Sequence, residues 1–216
     1  MKIVLFGATG NVGQRVVAEA LRRGHEVVGV VRDPSAVQSP DKRVSLVKGD
    51  ATNADDIAKV TRGADAVVSA ISPRPNARGL PASSLAANSR ALIKGLRDAK
   101  VKRVLYVGGA SSLEVAPGKA LADMPDFPEA YREEAREGRE ALGIWRKETK
   151  GLDWTYLSPA AEIAPGTRTG KYRTTQDQLL KDDSGRSFIT FEDYAVAVLD
   201  ELERPKHVRQ RFGVAY

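Results

Sequence analysis

The amino-terminal half of the chain alternates short apolar runs with segments of helical period, and this alternation limits the possible folds more than any other feature. Five runs are predicted as strands: Ile3–Phe6, Glu26–Val31, Val44–Val47, Ala66–Ile71 and Arg103–Val107. Four of them are almost continuously apolar, which is typical of strands buried on both faces of a parallel sheet. Apolar positions at steps of three and four residues predict helices over 12–21 and 85–99. The pattern predicts right-handed βαβ units and a doubly wound, Rossmann-like α/β fold.

The carboxy-terminal half is less regular. Periodicity predicts a long helix with Tyr131 and Trp145 on one apolar face, a sixth strand at Trp154–Leu157, a helix near 192–202 and a last strand near 211–214. Because no flexible linker or internal repeat divides the chain, we expect one domain over 1–216, with residues from about 158 forming a small lobe on the substrate side. Two long segments, Ser72–Pro81 and Gly108–Pro128, are predicted as functional loops.

Composition excludes several classes of protein. The 216 residues include no cysteine, which excludes disulfide scaffolds and thiolate metal sites, and only two histidines, so we expect no metal centre. The first apolar run, Ile3–Phe6, is too short for the core of a signal peptide, and no run approaches the roughly 18 residues that span a bilayer. We therefore expect a cytoplasmic protein that has no membrane partner.

The net charge of +6 raises the question of nucleic-acid binding. Between Arg132 and Lys150, however, basic and acidic residues are interleaved at helical spacing, as in Glu133–Arg136 and Arg136–Glu140. Interleaved charges of this kind are typical of a solvated helix face rather than a basic surface for DNA. We expect no specific nucleic-acid partner, and the sequence leaves the oligomeric state open.

A glycine-rich loop follows the first strand and opens the first helix. In Gly7-Ala8-Thr9-Gly10-Asn11-Val12-Gly13, the glycines stand at positions 1, 4 and 7, rather than at the 1, 3 and 6 of the common dinucleotide fingerprint. The physical roles are the same: Gly7 permits a tight turn, Gly10 lets the backbone approach a pyrophosphate, and Gly13 lets the helix pack against the strand. The helix N-terminus then offers N–H groups to the phosphates.

Two further positions bear on the nucleotide. Arg32 ends the second strand, where an arginine would accommodate a 2′-phosphate, and Asp33 follows it. This order favours NADP(H) over NAD(H), although Arg32 could also simply cap the edge of the sheet. Asp50, after the third strand, could meet the adenine amino group or could equally be a turn or N-cap residue ahead of Thr52-Asn53.

These motifs resemble a known family. The glycine loop, Arg32, the turn Gly49-Asp50-Ala51-Thr52 and the strand end Ser69-Ala70-Ile71 resemble the atypical short-chain dehydrogenases/reductases, which carry an NAD(P)-binding domain. Within that superfamily, five later segments are similar to the NADH-flavin reductases: 107–118, 152–161, 165–172, 192–197 and 210–212. The resemblance covers essentially the whole chain.

The candidate site residues follow from these motifs. Ser111, past the fifth strand, is the catalytic candidate that would hydrogen-bond the nicotinamide or the acceptor, unless it is only a turn serine. Ser158 and Pro159 follow the sixth strand, where the resemblance implies that backbone groups hold the carboxamide. Arg74 and Arg78 could meet a flavin phosphate or be simply solvated. The cofactor-binding candidates are Gly7, Thr9, Gly10, Asn11, Val12, Gly13, Arg32, Asp50, Ala51, Ala70, Ile71, Ser158 and Pro159.

One departure from the family pattern bears on mechanism. Short-chain dehydrogenases usually carry a lysine four residues after the catalytic tyrosine, but here Tyr131 is followed at that spacing by Ala135. A tyrosine without that lysine keeps a pKa near ~10 and is a poor proton donor to an alkoxide. We interpret Tyr131 as a core aromatic on the apolar face of its helix.

The missing pair favours hydride transfer that needs no protein acid. The resemblance then implies an NAD(P)H-dependent oxidoreductase, a flavin reductase that reduces a flavin, a quinone or a biliverdin-like acceptor, with flavin as substrate rather than as a tightly bound cofactor. A non-catalytic redox sensor that binds NAD(P) fits the same residues. A nucleotide-sugar epimerase is a second alternative, disfavoured by the missing lysine and the short C-terminal lobe.

Overall fold

The computed structural model describes residues 1–39, 41–72 and 84–216. The predicted loop Ser72–Pro81, with Arg74 and Arg78, falls almost entirely outside these ranges. In chain order the described elements are β1 Lys2–Phe6, α1 Asn11–Arg22, β2 Glu26–Val31, β3 Ser45–Lys48, α2 Ala54–Thr61, β4 Ala66–Ser69, α3 Leu85–Ala99, β5 Arg103–Val107, β6 Glu114–Ala116, β7 Lys119–Ala120, α4 Arg132–Lys147, β8 Asp153–Ser158, β9 Glu162–Ala164, β10 Arg173–Thr175, β11 Phe188–Thr190, α5 Phe191–Glu203 and β12 Gln210–Ala215.

The centre of the molecule is an eight-stranded sheet of order β3-β2-β1-β4-β5-β8-β12-β10. All neighbouring strands are parallel except β10, which pairs antiparallel with β12 at one edge. The chain starts at β1, runs outward to β3, and then returns to the other side of β1 with β4. The predicted doubly wound α/β fold is therefore confirmed, and the point where the strand order reverses lies between β1 and β4.

Helices cover both faces of this sheet in a single domain. Helices α1 and α5 pack together on one face, and α2, α3 and α4 pack side by side on the other. The second face holds a buried aromatic cluster in which Tyr106 stacks on Tyr156 with ring centroids 5.5 Å apart and also contacts Trp145. A smaller parallel pair, β9 with β11, forms a two-stranded sheet apart from the main one.

The sheet and helix bounds agree with the sequence-based prediction to within two residues for most elements. Helix α3 matches its predicted ends, and the strands predicted at 26–31 and 103–107 are β2 and β5. Helix α2 was not predicted. It has eight residues, and Asn53 caps its N-terminus. Only one face is buried, through Ile57, Ala58 and Thr61. Within the described ranges, no helix combines the length and apolar character that crossing a bilayer requires.

Candidate functional site

The glycine loop lies where the strand order reverses, at the carboxyl ends of β1 and β4. Gly7 has a φ of +83°, a left-handed conformation that favours glycine. A Cβ at Gly7 would lie 2.5 Å from the carbonyl oxygen of Ala70, so the loop passes directly against the end of β4. The amide of Ala70 in turn donates to the Phe6 carbonyl over 2.9 Å. Gly7, Ala70 and Ile71, three of the cofactor-binding candidates, therefore lie in contact with one another.

The first turn of α1 is open to an anion. Its N-cap, Gly10, has extended backbone, and no side chain caps it or places a negative charge in the first turn. The loop is ordered by bonds from the Gly10 amide to the Gly7 carbonyl, 3.0 Å, and from Gln14 Nε2 to the Thr9 carbonyl, 2.8 Å. The leading N–H groups of a helix have no intrahelical acceptor and carry a partial positive charge. The end of α1, which includes Asn11 and Val12, thus suits a pyrophosphate.

At the end of β2, Arg32 and Asp33 are both exposed. Asp33 Oδ1 accepts from the Ser35 amide at 3.0 Å and from the Ser35 hydroxyl at 2.7 Å, and these bonds lower its pKa. The Asp33 carboxylate is thus occupied in capping the short turn 34–36. In the described part of the chain, no hydrogen bond or ion pair holds the Arg32 guanidinium.

Asp50 is an exposed turn residue beside β3. Its Oδ1 accepts from the Thr52 amide and hydroxyl at 2.8 and 2.7 Å, while Asn53 rather than Asp50 caps α2. Asp50 is thus a turn residue rather than an N-cap, and its contact with the adenine amino group stays a prediction. Asn88, fully buried on α3, connects Ala51 to the end of β4. Its side-chain amide donates to the Ala51 carbonyl over 2.7 Å, and its Oδ1 accepts from the Ser69 hydroxyl at 3.3 Å.

Ser111 follows β5 and lies against the middle of α4. A Cβ placed on Gly138 would be 3.9 Å from Ser111 Oγ and equally far from the Tyr156 hydroxyl, so the α4 position that faces Ser111 carries no side chain. The Tyr156 hydroxyl donates to the Gly138 carbonyl at 3.2 Å. Burial raises the pKa of Tyr156 to about 12, which makes this tyrosine a poor proton donor.

The interpretation of Tyr131 as a core aromatic is wrong. Tyr131 precedes the first residue of α4 and is 44% exposed. It stands seven residues, about two helical turns, before Gly138. The apolar face of α4 instead begins at Ala135 and continues through Leu142 and Trp145.

Ser158 and Pro159 lie at the carboxyl end of β8, and both are buried. The Ser158 hydroxyl is one of the buried polar atoms with no hydrogen-bond partner among the described residues. Buried hydroxyls are almost always hydrogen-bonded, so the Ser158 hydroxyl is available to a ligand at this strand end. A contact between Ser158 and the cofactor stays a prediction.

Three carboxylates on helices α1 and α5 bind the segment 165–170. Asp193, fully buried, accepts from the amides of Thr169 and Gly170 at 2.9 and 2.7 Å. Glu192 accepts from the Gly166 amide at 2.8 Å, and Glu19 of α1 binds Arg168 at 2.8 Å. None of these three acidic residues was selected from the sequence, because their partners stand 23 to 149 positions away.

A buried arginine fixes the loop that carries Ser111. Arg211 of β12 donates to the Ser112 hydroxyl at 3.3 Å and to Asp177 Oδ1 at 2.8 Å. The main chain of Asp177 accepts from the Glu114 amide at 2.7 Å, so the loop is tied to β12 and to the segment before residue 178. In the same described ranges, no group of three or more acidic or histidine side chains is arranged to hold a metal ion.

Comparison with known proteins places the chain among relatives along its whole length. The sequence pattern of a family described as NAD(P)H-binding matches residues 7–205. A Bacillus subtilis relative, "Uncharacterized protein YwnB", is 42% identical over 219 aligned positions, which cover 99% of this chain and 98% of YwnB.

Solved structures agree with this assignment. A "Putative exported protein" from Burkholderia pseudomallei is 45% identical with a TM-score of 0.90, and each chain is covered completely. A "putative epimerase" from Bacteroides thetaiotaomicron is 41% identical with a TM-score of 0.86, covering 100% of this chain and 96% of the other. A "putative NADH-flavin reductase" from Streptococcus pneumoniae is 31% identical with a TM-score of 0.82, covering 100% and 99%.

Proposed function

The chain belongs to the NAD(P)H-binding family, and from that premise we propose that it is an oxidoreductase that passes hydride from NADPH to a flavin or a similar conjugated acceptor. The fit to the nucleotide is supported by the uncapped start of α1, by the close packing of Gly7 against β4, and by the unsatisfied hydroxyl of Ser158. Bound NAD(P)H would supply the hydride. The chain's own residues would bind and orient the two reactants.

Each part of the site has a role in this proposal. The amides at the start of α1, over Asn11, Val12 and Gly13, would hold the pyrophosphate. Asp50 and Ala51 would border the adenine, and Ala70 and Ile71 would lie beneath the ribose. Ser158 and Pro159 would orient the carboxamide, and Ser111 would hold the nicotinamide or the acceptor at the reacting face.

Arg32 is the residue proposed to select NADP(H). Its guanidinium is exposed at the end of β2, and its neighbour Asp33 is occupied by Ser35. A 2′-phosphate would therefore find a free arginine, whereas the ribose hydroxyls of NAD(H) would find a carboxylate that is already hydrogen-bonded.

One observation carries the choice of acceptor: the α4 position facing Ser111 is Gly138. Alcohol–ketone chemistry needs a group that delivers or removes a hydroxyl proton, and no tyrosine–lysine pair of the described residues faces Ser111. A flavin ring accepts hydride directly, and the residues around it need only stack and orient it. We therefore propose flavin as a substrate, with quinones and biliverdin-like compounds in the same chemical group.

The lack of an acid–base side chain at Gly138 also disfavours epimerisation. The Bacteroides relative is named as an epimerase, but transient oxidation of a sugar hydroxyl would require an acid–base group where Gly138 stands. A non-catalytic sensor would share the nucleotide site and differ only in lacking turnover. Residues from about 158 onward would form the substrate-side lobe in either reading, and we propose a cytoplasmic location for the enzyme.

The deciding experiment follows the oxidation of NADPH and of NADH with FMN, FAD, riboflavin, quinones and biliverdin as acceptors. Turnover with one of these compounds and a preference for NADPH is the expected result. Nucleotide binding without turnover on any acceptor would favour the sensor. Interconversion of a nucleotide sugar without net NAD(P)H consumption would favour the epimerase.

A further inference from the structure

A cavity of ≈ 510 Å³ lies between the segment 122–127 and the first turns of α4. Its volume falls in the range of small-molecule sites. Ala122, Phe127 and Ala135 supply apolar surface. The arginines at 132, 136 and 139 stand on one side of the helix at the rim, together with the carboxylates Asp123 and Glu140, so the net charge of the lining is positive. An apolar floor with convergent cations suits a flat ring that carries a negative group.

The cavity adjoins the residue proposed to face the reacting atoms. The amide of Ala122 donates to the carbonyl of Ser111 over 3.0 Å. On α4, Ala135 lines the cavity and lies about one helical turn before Gly138, the position that faces Ser111 Oγ. A ring in the cavity could therefore extend toward Ser111 while its substituents remain beside the arginines.

The three arginines can exchange their present partners for a ligand. Their side chains are 47%, 60% and 47% exposed, in chain order, and each is paired with an exposed carboxylate, Glu129, Glu133 and Asp123 respectively. Arg136 also contacts Glu137, which is 15% exposed, at 3.2 Å and Glu140 at 3.9 Å. Ion pairs between exposed side chains contribute roughly 0–1 kcal/mol, so an anionic ligand can displace them at little cost. A bidentate arginine–phosphate contact is the stronger interaction.

We propose that this cavity receives the acceptor and that Arg132, Arg136 and Arg139 select planar conjugated acceptors that carry an anionic group, a phosphate or a carboxylate. This inference rests on the proposed function and narrows its substrate class. Because the anionic group lies away from the reacting ring, the arginines act on binding in ground and transition state alike. Their contribution is therefore expected in KM rather than in kcat.

FMN and riboflavin test this directly, because they differ only in the phosphate. With wild-type protein and saturating NADPH, we expect kcat/KM for FMN to exceed that for riboflavin by about tenfold, the size of one charge-assisted contact. In the double variant Arg132→Gln, Arg136→Gln, the KM for FMN should rise to within about twofold of the riboflavin value, with kcat and the riboflavin constants unchanged. Arg204→Gln, at an exposed arginine after α5, is the matched control and should leave both substrates as in wild type.

A second pair separates the two kinds of anion. Biliverdin and its dimethyl ester differ in their carboxylates, so a preference for the free acid that the double variant loses would assign a carboxylate to the arginines. Equal constants for FMN and riboflavin and for biliverdin and its ester in wild type, or an equal rise of KM for both members of a pair in the variant, would overturn the inference.

Binding is measured separately so that failure of the proposed function remains distinguishable. If neither flavin oxidises NADPH, flavin-fluorescence titration of wild type and double variant still decides the inference. Tighter binding of FMN than of riboflavin, lost in the double variant, would support an anion-selective cavity in a protein that is not a flavin reductase. Equal binding of FMN and riboflavin, together with equal binding of biliverdin and its dimethyl ester, would overturn the inference whatever the protein catalyses.

Discussion

Gly13 lies so close to Gly7 that a Cβ on Gly13 would be 2.0 Å from the Gly7 carbonyl oxygen. Helix α1 therefore rests on the turn that leaves β1, with no room for a side chain between them. The contact sets where the uncapped end of the helix points, which is over the carboxyl ends of β1 and β4. A backbone oxygen cannot move aside as the end of a flexible side chain can.

Gly13→Ala is expected to push helix α1 away from the turn that follows β1. The added methyl group meets backbone, so we expect a loss of about 2 kcal/mol or more in the free energy of unfolding and the loss of most nucleotide affinity. Gly143→Ala is the matched control, since a Cβ there meets nothing within 4 Å on α4. The control should be neutral or more stable by up to about 1 kcal/mol. Urea unfolding and NADPH titration measure both effects, and equal behaviour of the two variants would contradict the packing argument.

Arg32→Ala is expected to weaken NADPH and spare NADH. A charge-assisted contact with the 2′-phosphate contributes roughly 1.5–3 kcal/mol, so the NADPH affinity should fall about ten- to a hundredfold. Arg62→Ala, at the exposed arginine after α2, controls for the loss of a surface charge. Isothermal titration measures both affinities. If wild type binds NADPH and NADH equally, Arg32 does not contact the 2′-phosphate.

The main sheet could be predicted because strands that are buried on both faces consist of nearly continuous apolar runs, which are visible in the local sequence. After its first residue, Glu26, strand β2 holds only valine and glycine, and α3 repeats its apolar positions over 15 residues. Helix α2 has only eight residues, too few turns for a period to stand out. For Tyr131 the pattern instead predicted too much. Its spacing continues the apolar period of α4, but the helix begins one residue later, so Tyr131 is not on the buried face.

The candidate site was predictable only where its residues are consecutive. The glycine loop from Gly7 to Gly13 is local, so its geometry follows from spacing alone. The pairing of Ser111 with Gly138 depends on how α4 lies against β5, which no local pattern specifies. Contacts such as Glu19 with Arg168 join residues 149 positions apart and become visible only in the fold.

Stability should decrease in acid partly through Asp193. Burial alone would raise the pKa of this carboxyl, but hydrogen bonds from Thr169, Tyr216 and Gly170 outweigh it and hold the pKa below its ordinary value. A group with a depressed pKa in the folded state stabilises the fold at neutral pH, and this contribution is lost as the pH falls below the unfolded value of about 3.9 toward the folded one.

Asp193→Asn tests this linkage. The amide keeps one acceptor oxygen and replaces the other with N–H, so it cannot accept from the amides of Thr169 and Gly170 and from the hydroxyls of Thr169 and Tyr216 together. We expect a cost of roughly 2–4 kcal/mol at pH 7. The difference from wild type should shrink at pH 3, below the unfolded pKa, because the carboxyl is then largely protonated in the unfolded chain and the stabilisation by the folded carboxylate is being lost. Asp98→Asn, which breaks only an exposed pair with Lys94, should change stability little at either pH. A difference that is the same at pH 7 and pH 3, in urea unfolding, would contradict the assignment.

Tyr131→Phe is expected to leave flavin reduction within about twofold of wild type, far from the 10²–10⁴-fold effect of a lost general acid. The reason is geometric, because Tyr131 is exposed ahead of α4 while the position facing Ser111 is Gly138. Ser111→Ala should lower kcat by about tenfold at most, the value of one orienting hydrogen bond. Stopped-flow oxidation of NADPH by FMN compares the two variants. A hundredfold fall in kcat for Tyr131→Phe, with unfolding and NADPH affinity unchanged, would instead identify a tyrosine-dependent dehydrogenase whose helix shifts on substrate binding to bring Tyr131 to the reacting atoms.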